Sequence, residues 1–232
     1  MKAKRKVAIF DIDGTIFRSS LIIEVVEGLM ESGIFDESLR REYEKQKALW
    51  LDRKGDYEEY IDALVRVFVR NIKGVYYPDF LKVVERVVLE NKDRVYRFTR
   101  DMARSLKKKG YYLVAISQSP KAVIDPFCKR LGFNKIYGRL YELGPSEKFT
   151  GKIIDEHIIA NKANIVRRVV GKENLTLENS YGVGDTDGDY SFLELVENPI
   201  CFNPNEKLLR HAKRNKWRVV VERKDVIYEI KV

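Results

Sequence analysis

Short apolar runs that end abruptly in polar residues recur along the chain. Val7 to Phe10 form such a run, which stops at Asp11 and Asp13. A run this short with β-branched members predicts a buried strand that leads into a turn. Tyr111 to Ile116 repeat the pattern and predict a second buried strand.

The segments that follow the second strand predict alternating helices and strands. Strands are predicted over residues 136–143, 149–154, 180–183, 200–202 and 217–221. Helices are predicted over residues 120–132, 190–196 and 206–214, and over a segment that carries Ile158, Ile165, Val166 and Val169 and ends before Gly171. Such alternation implies parallel pairing, because each parallel pair needs a crossover connection that a helix supplies. We therefore predict an α/β fold with a doubly wound parallel sheet.

The chain between the first two strands has a different pattern, in which apolar residues recur at helical spacing. Examples on shared faces are Tyr60, Leu64 and Phe68, and Phe80, Val84 and Val87. This stretch is far longer than one crossover helix requires. We therefore predict a core domain of residues 1–18 and 108–232 and an inserted helical domain of residues 19–107, which we call the insert.

Composition limits the class of protein. With 44% hydrophobic and 34% charged residues, the chain is expected to be globular and not disordered. No apolar stretch approaches the ~20 residues of a membrane span, and no secretory signal is seen, so no membrane partner is expected. Cys128 and Cys201 are too few for a disulfide framework, which favours a cytoplasmic location.

The net charge of +9 raises the question of a polyanionic partner. The basic residues are spread along the chain, whereas nucleic-acid surfaces collect them on one face. A nucleic-acid partner is therefore not expected, and a small anionic substrate would also suit a positive protein. The oligomeric state is left open.

Polar residues that could take part in catalysis or metal binding lie where the predicted strands end. Asp11 and Asp13 end the first strand, and Ser117 and Ser119 end the second. The other members of this set are Lys162, Asp185, Asp187 and Asp189. Ligands of parallel sheets bind beyond the carboxyl ends of the strands. Converging carboxylates repel one another unless a hard cation such as Mg²⁺ lies between them, and one carboxylate is then available as a nucleophile.

Each segment also has a simpler interpretation when it is taken alone. Asp13 and Gly14 are common turn residues, and Asp185 to Asp189 would suit a solvated acidic loop. Ser117 and Ser119 are equally suited to capping the following helix, and Lys162 alone would be a surface lysine. The order of the segments at successive strand ends favours an active site.

Together, these segments resemble the four ordered motifs of the haloacid dehalogenase (HAD) superfamily. The resemblance rests on Asp11-Ile12-Asp13-Gly14-Thr15, Ser117, Lys162 and Gly184-Asp185-Thr186-Asp187-Gly188-Asp189. It implies a Rossmann-like core, and the position of the insert resembles the helical cap of the subgroup that includes phosphoserine phosphatases. Ser117-Gln118-Ser119-Pro120 and Phe202-Asn203-Pro204 also look like that subgroup.

The resemblance implies a role for each matching residue. Asp11 would be the nucleophile, and Asp13 the general acid and base. Phosphoryl oxygens would be bound by Ser117, the backbone of Gln118 and Lys162, with Gly14 and Thr15 shaping the loop. The Mg²⁺ ligands would be Asp11, the backbone carbonyl of Asp13, Asp185 and Asp189.

Two departures from the subgroup concern the substrate. Ser20 stands where phosphoserine phosphatases have a glutamate nine positions after the nucleophile, and Gly188 stands where they usually have an asparagine. Both weigh against phosphoserine. We predict a Mg²⁺-dependent phosphatase that acts on a small phosphorylated metabolite through an aspartyl-phosphate. Alternatives are a phosphotransferase, a phospho-accepting signalling protein and a nucleic-acid end-processing phosphatase.

Overall fold

The computed structural model describes residues 4–154 and 161–231 of the chain. The strands are β1 (Arg5–Asp11), β2 (Tyr112–Pro120), β3 (Lys135–Leu143), β4 (Phe149–Ile154), β5 (Leu175–Gly184), β6 (Asn198–Phe202), β7 (Arg218–Arg223) and β8 (Val226–Ile230). The helices are α1 (Leu21–Glu31), α2 (Arg41–Leu51), α3 (Tyr57–Asn71), α4 (Tyr77–Asn91), α5 (Arg97–Lys108), α6 (Lys121–Leu131), α7 (Lys162–Lys172), α8 (Tyr190–Leu193) and α9 (Glu206–Asn215). Short 3₁₀ turns cover Glu37–Arg40 and Asp187–Asp189.

The strands form one sheet in the order β4-β3-β2-β1-β5-β6-β7-β8. The neighbours from β3 to β7 run parallel, and β4 and β8 add antiparallel edges. Because β1 lies between β2 and β5, the carboxyl ends of these three strands meet at the centre of one sheet edge. The predicted α/β fold with a doubly wound, mostly parallel sheet is confirmed.

Side chains alternate across the sheet and fill two apolar layers. Ala8 and Phe10 of β1 belong to the layer beneath α1 to α6, whereas Val7 and Ile9 belong to the layer covered by α7, α8 and α9. All four side chains are fully buried. Both faces of the central strand are therefore covered, which explains why its sequence reads as a continuous apolar run.

Helices α1 to α5 lie between β1 and β2 in the chain, as the predicted insert requires. The connections before α1 and after α4 run side by side, because Arg18 N donates to Arg94 O and Tyr96 N donates to Ile16 O, each at 3.0 Å. After the second connection, α5 packs against β2 and α6. The division into domains at residues 18/19 and 107/108 stays a prediction.

Several predicted bounds differ from the structure. Strand β5 begins at Leu175 and not at Ser180, because a register shift and the positive φ of Asn179 interrupt its pattern. Helix α8 ends at Leu193, short of the predicted residue 196, and Gly171 lies inside α7 instead of after it. The predicted helical position of Ile158 lies outside the described residues.

Strand β8 was not predicted at all. Its apolar residues Val226, Tyr228 and Ile230 are exposed, so the segment lacks the buried face on which strand prediction depends. It pairs antiparallel with β7 through a turn in which Lys224 has a positive φ. None of the helices in the described part is long and apolar enough to span a membrane.

Candidate active site

The carboxyl ends of β1, β2 and β5 place the predicted site residues in one region. Asp11 is the last residue of β1 and is paired in register with Ile116 of β2. On its other side, β1 pairs with β5, whose last residue Gly184 precedes Asp185. The loops that follow these strands therefore converge on Asp11.

Asp11, Asp185 and Asp189 form an acidic group in which one carboxylate oxygen from each lies within 4.8 Å of the others. Desolvation raises the pKa of Asp11 well above its usual value, and Lys162 opposes this shift. Desolvation also raises the pKa of Asp185, and the charges of Asp11 and Asp189 raise it further. The group therefore concentrates more negative charge than its surroundings alone can stabilise.

Lys162 supplies the positive charge inside this group. Its Nζ lies 2.6 Å from Asp11 Oδ1 and 2.5 Å from Asp189 Oδ1, and the residue is only 6% exposed. Burial lowers the pKa of Lys162, but the two carboxylates outweigh burial and raise it. Lys162 is the first residue of α7, which Asn161 caps by accepting hydrogen bonds from the next backbone amides. The helix start thus fixes the direction of the ammonium group.

Asp189 holds the loop after β5. Its Oδ2 accepts hydrogen bonds from the backbone amides of Asp185 and Thr186, at 3.0 and 3.1 Å, while its Oδ1 accepts from Lys162. The side chain is fully buried. Asp189 therefore positions both Asp185 and Lys162 through fixed contacts.

The side chain of Asp13 lies among hydroxyl groups, apart from the acidic group. Its Oδ2 accepts from Ser117 Oγ at 2.6 Å and from Ser119 Oγ at 2.8 Å. Its Oδ1 accepts from the backbone amide of Leu21 at 2.6 Å and from Ser20 Oγ at 3.2 Å. Because a hydroxyl can donate or accept, these serines can hydrogen-bond Asp13 in either protonation state.

Gly14 and Thr15 bring the β1 loop against Asp185. Gly14 has a φ of +80°, and a Cβ atom at this position would lie 2.0 Å from Asp185 Oδ2. Thr15 Oγ1 donates to Asp185 Oδ1 at 2.9 Å, and Thr99 Oγ1 donates to the Thr15 carbonyl. Only glycine permits this close approach of backbone to carboxylate.

A cavity of about 510 Å³ opens over these residues. The core domain lines it with Asp11, Asp13, Gln118, Ser119, Arg139, Lys162, Asp185, Thr186 and Gly188, and the predicted insert lines it with Ser20, Ile22, Tyr57, Glu58, Ile61, Asp62 and Val65. Desolvation raises the pKa of Tyr57, and the charges of Asp13 and Asp185 raise it further, so its hydroxyl stays protonated. The site thus combines a polar floor with a more apolar roof.

The structure brings together the sequence-predicted site residues with the exception of Asp187. Ser117 and Asp189 are fully buried beside the cavity, whereas Gln118 is exposed at its edge. Asp187 points elsewhere, since its carboxylate accepts from Asn205 Nδ2 at 2.7 Å. The roles assigned to these residues stay predictions.

A family model described as haloacid dehalogenase-like hydrolase matches residues 8–194. The chain belongs to this family of hydrolases. Membership confirms the family resemblance and the prediction that the chain is a hydrolase. It also accounts for the order in which the motifs follow the strands.

Some curated relatives of this HAD chain carry phosphatase names. It is 27% identical over 208 residues to a phosphoserine phosphatase of Archaeoglobus fulgidus, covering 88% of this chain and 54% of the relative. The chain therefore spans about half the length of that relative. It is 22% identical to a histidinol-phosphatase of Neisseria meningitidis, covering 93% of this chain and 98% of the relative.

Solved structures share the HAD fold at low sequence identity. A protein of unknown function from Bordetella pertussis superposes with a TM-score of 0.73 at 17% identity, covering 94% of this chain and 98% of the other. A phospho-aspartyl intermediate analogue of a phosphoserine phosphatase gives a TM-score of 0.64 at 19% identity, covering 96% of both chains. These likenesses support the Rossmann-like core.

The acidic group of this HAD chain fits a hard divalent cation such as Mg²⁺. Asp11 Oδ1 and Asp185 Oδ1 accept hydrogen bonds from Lys162 and Thr15, but no described donor reaches their Oδ2 atoms. These two oxygens are available to a metal. Both oxygens of Asp189 are already hydrogen-bonded, so Asp189 is the more constrained of the predicted ligands.

Tyr57, Asp62 and Arg139 are among the lining residues that sequence reasoning did not identify. Tyr57 and Asp62 lie on α3 and Arg139 lies on β3, far in sequence from the strand-end motifs. Arg139 follows Gly138 in a strand pattern and carries no motif of its own. Tyr57 is the first residue of α3, directly after the N-cap Asp56, and nothing in this local sequence indicates a cavity.

Proposed function

We propose that this chain is a Mg²⁺-dependent phosphatase that hydrolyses a small phosphate monoester with Asp11 as the nucleophile. The observation that carries the proposal is the arrangement around Asp11. This buried carboxylate lines the cavity, contacts Lys162 at 2.6 Å and shares the cavity with Asp13. Such a set provides a nucleophile, a cation and a proton donor within one enclosed space.

In the first step, a carboxylate oxygen of Asp11 attacks phosphorus and the ester P–O bond breaks. Asp13 in its protonated form gives its proton to the leaving alkoxide, which departs as an alcohol. The phosphoryl group is then carried by Asp11 as a mixed anhydride. Ser117, the Gln118 backbone and Lys162 are assigned to its oxygens, because donors aimed at developing charge lower the barrier.

In the second step, Asp13 accepts a proton from water and the resulting hydroxide oxygen attacks phosphorus. The bond to Asp11 breaks, which releases inorganic phosphate and restores both carboxyl groups. Ser119 and Ser20 donate hydrogen bonds to Asp13 and hold its carboxyl group in place in both steps.

Mg²⁺ held by Asp11, Asp185, the Asp13 carbonyl and Asp189 would supply positive charge that offsets the phosphoryl oxygens. Thr15 and Gly14 keep Asp185 against the β1 loop, and Asp189 holds the backbone amides beside it. The apolar residues of the insert, Ile22, Ile61 and Val65, would exclude water from the leaving group. The cavity volume suits a small metabolite.

The test is hydrolysis of 4-nitrophenyl phosphate with Mg²⁺ and after chelation, for the wild-type protein and Asp11→Asn. We expect activity that depends on Mg²⁺ and falls by about 10³-fold or more in the variant. Brief incubation with ³²P-labelled substrate and acid quenching should trap label on the wild-type protein as a hydroxylamine-sensitive acyl phosphate. Full activity of Asp11→Asn would refute the assignment of the nucleophile.

A further inference from the structure

Arg139 is a cation in the active-site cavity that the steps above do not use. It lies on β3, in register with Pro120 of β2, three residues beyond Ser117 in the chain. Its side chain lines the same cavity as Asp11 and Asp13. Its position at the edge of the phosphoryl-binding loop makes it a candidate for contacting the rest of the substrate.

The guanidinium group of Arg139 is oriented but not neutralised. Its Nη2 donates to Gln118 Oε1 at 2.8 Å, which fixes the plane of the group. Its Nε is buried and has no hydrogen-bond partner among the described residues. No carboxylate in residues 4–154 and 161–231 forms an ion pair with it. A buried donor without a partner is costly, which favours a ligand or water that can accept from this side chain.

The other cationic side chain that lines the cavity is already paired with carboxylates. Lys162 contacts both Asp11 and Asp189, so its charge is offset within the acidic group. Arg139 is therefore the lining cation whose charge is available to a ligand. A guanidinium group presents parallel N–H donors that match two oxygens of a carboxylate or a phosphate.

The predicted insert contributes both apolar and acidic residues to the lining of the same cavity. Ile22, Ile61 and Val65 offer no hydrogen bonds from their side chains, whereas Arg139 offers several. Specificity of binding is highest where a site would leave a polar group unpaired if the matching group of the substrate were missing.

We propose that Arg139 is a specificity-determining residue that selects phosphate monoesters whose leaving group carries a second anionic group. This inference rests on the proposed function, because it assumes that the cavity holds a phosphate ester. The shared chemistry is an oxyanion with two oxygens facing the guanidinium group, which a carboxylate or a second phosphate provides.

Three esters with the same three-carbon leaving group separate these sources. They are propyl phosphate, 3-(phosphonooxy)propanoate and propane-1,3-diol bisphosphate, which end in a methyl, a carboxylate and a phosphate. We expect the wild-type protein to hydrolyse at least one anionic ester with a higher kcat/KM than propyl phosphate. Preference for one of the two identifies the anion.

The variant Arg139→Met removes the charge and the unpaired Nε while keeping an extended side chain. We expect kcat/KM for the preferred anionic ester to fall by about 10- to 100-fold, mostly through KM, because a hydrogen bond to a charged group is lost. Propyl phosphate should change by less than about twofold on the same grounds. Arg139→Lys should recover part of the loss, since it restores the charge but not the planar fork.

Arg130→Met is the matched control, because Arg130 is exposed on α6 and lies outside the cavity. This variant should leave kcat/KM for all three esters unchanged. Equal losses on all three esters in Arg139→Met would overturn the inference and place Arg139 at the phosphoryl group or in the fold. A wild-type protein without preference for either anionic ester would also overturn it.

A binding measurement separates this inference from the proposed function. Calorimetric titration of the Asp11→Asn protein with the three esters reports recognition without turnover. If no ester and no aryl phosphate is hydrolysed, the proposed function is wrong. The measured affinities for the three esters then test the role of Arg139 by themselves. Tighter binding of an anionic ester that disappears in Asp11→Asn with Arg139→Met supports the inference, and equal affinities refute it.

Discussion

The two sides of the active-site cavity differ in how their polar groups are satisfied. On the core side, Asp11, Asp13 and Lys162 all take part in a network of buried hydrogen bonds. On the side of the insert, Ile22, Ile61 and Val65 are apolar, and Asp62 forms no ion pair with described residues. The difference indicates that groups proposed for the chemistry are fixed by mutual polar contacts. On the insert side such contacts are made by Ser20 and Glu58, whereas the three apolar side chains are held by packing alone.

This contrast has an energetic basis. A buried polar network is stabilising only when each member is satisfied, so a change in one residue affects all the others. An apolar wall responds to substitution through contact area alone, and the effect stays local. The predictions below test this contrast from the largest expected effect to the smallest.

Lys162→Met should produce the largest combined loss of stability and activity. It leaves Asp11 and Asp189 without their counter-charge, and breaking a buried pair in this way costs about 3–5 kcal/mol. We expect kcat/KM to fall by about 10³-fold as well, because a donor to the phosphoryl group is lost. Urea unfolding and steady-state kinetics provide the two measurements.

The control for Lys162→Met is Lys135→Met, which removes an exposed lysine 3.7 Å from Glu173. It should cost less than about 1 kcal/mol. If the two variants have equal stability, the core side does not depend on buried charge pairing.

Asp13→Asn should abolish most activity while affecting stability less. The amide oxygen can still accept from the backbone amide of Leu21 while its NH2 group donates to a serine hydroxyl, but the amide cannot transfer a proton. We expect kcat to fall by about 10²- to 10³-fold, as is typical for loss of a general acid and base. Asp93→Asn, at an exposed position, should keep wild-type kinetics. A kcat near that of the wild-type protein would rule out Asp13 as the proton donor.

Gly14→Ala should displace Asp185 and lower kcat/KM by about 10²-fold, the scale of an ångström-sized misplacement. The cause is the 2.0 Å distance between the new Cβ and Asp185 Oδ2. Gly33→Ala is a matched control, since Gly33 also has a positive φ, +69°, but no atom within 4 Å of a built Cβ. Both variants should lose similar backbone stability, and only Gly14→Ala should lose activity. Equal kinetics would show that the close approach is dispensable.

Val65→Ala should have the smallest effect, a rise in KM of about 3- to 10-fold with kcat nearly unchanged, because only apolar contact area is removed. Val69→Ala is its control, as Val69 lies one turn further on α3, is also half-buried and does not line the cavity. The two variants should be equally destabilised, but KM should rise only for Val65→Ala. A fall in kcat for Val65→Ala would mean that the insert takes part in the chemistry.

The fold was predictable where local patterns decide it. The apolar run from Val7 to Phe10 identified a strand buried on both faces, and the helical spacing in the insert identified its helices. Strand β8 escaped prediction because an exposed edge strand lacks a buried face. The bounds of β5 were wrong because its register shift depends on pairing with Lys6 and Ala8 of β1.

The candidate site was predictable only as a set of residues at strand ends. Parallel strands bring Asp11, Ser117 and Asp185 to one sheet edge, which the sequence order alone implies. The cavity position of Arg139 and Tyr57 was not predictable, because it depends on how β3 and α3 are placed against that edge. The sequence likewise did not predict that the Asp13 side chain is directed toward Ser117 and Ser119, because that depends on how β1 and β2 pair.

The paired connections at Arg18 and Arg94 have a consequence for how such a protein can diversify. Where a chain leaves and re-enters a domain at adjacent points, the segment between them can lengthen at a closure entropy that grows only with the logarithm of its length. The sheet is joined to the inserted segment through the same two connections, whatever the length of that segment. Relatives with different inserted segments could then bind different substrates while keeping the same catalytic residues on the sheet.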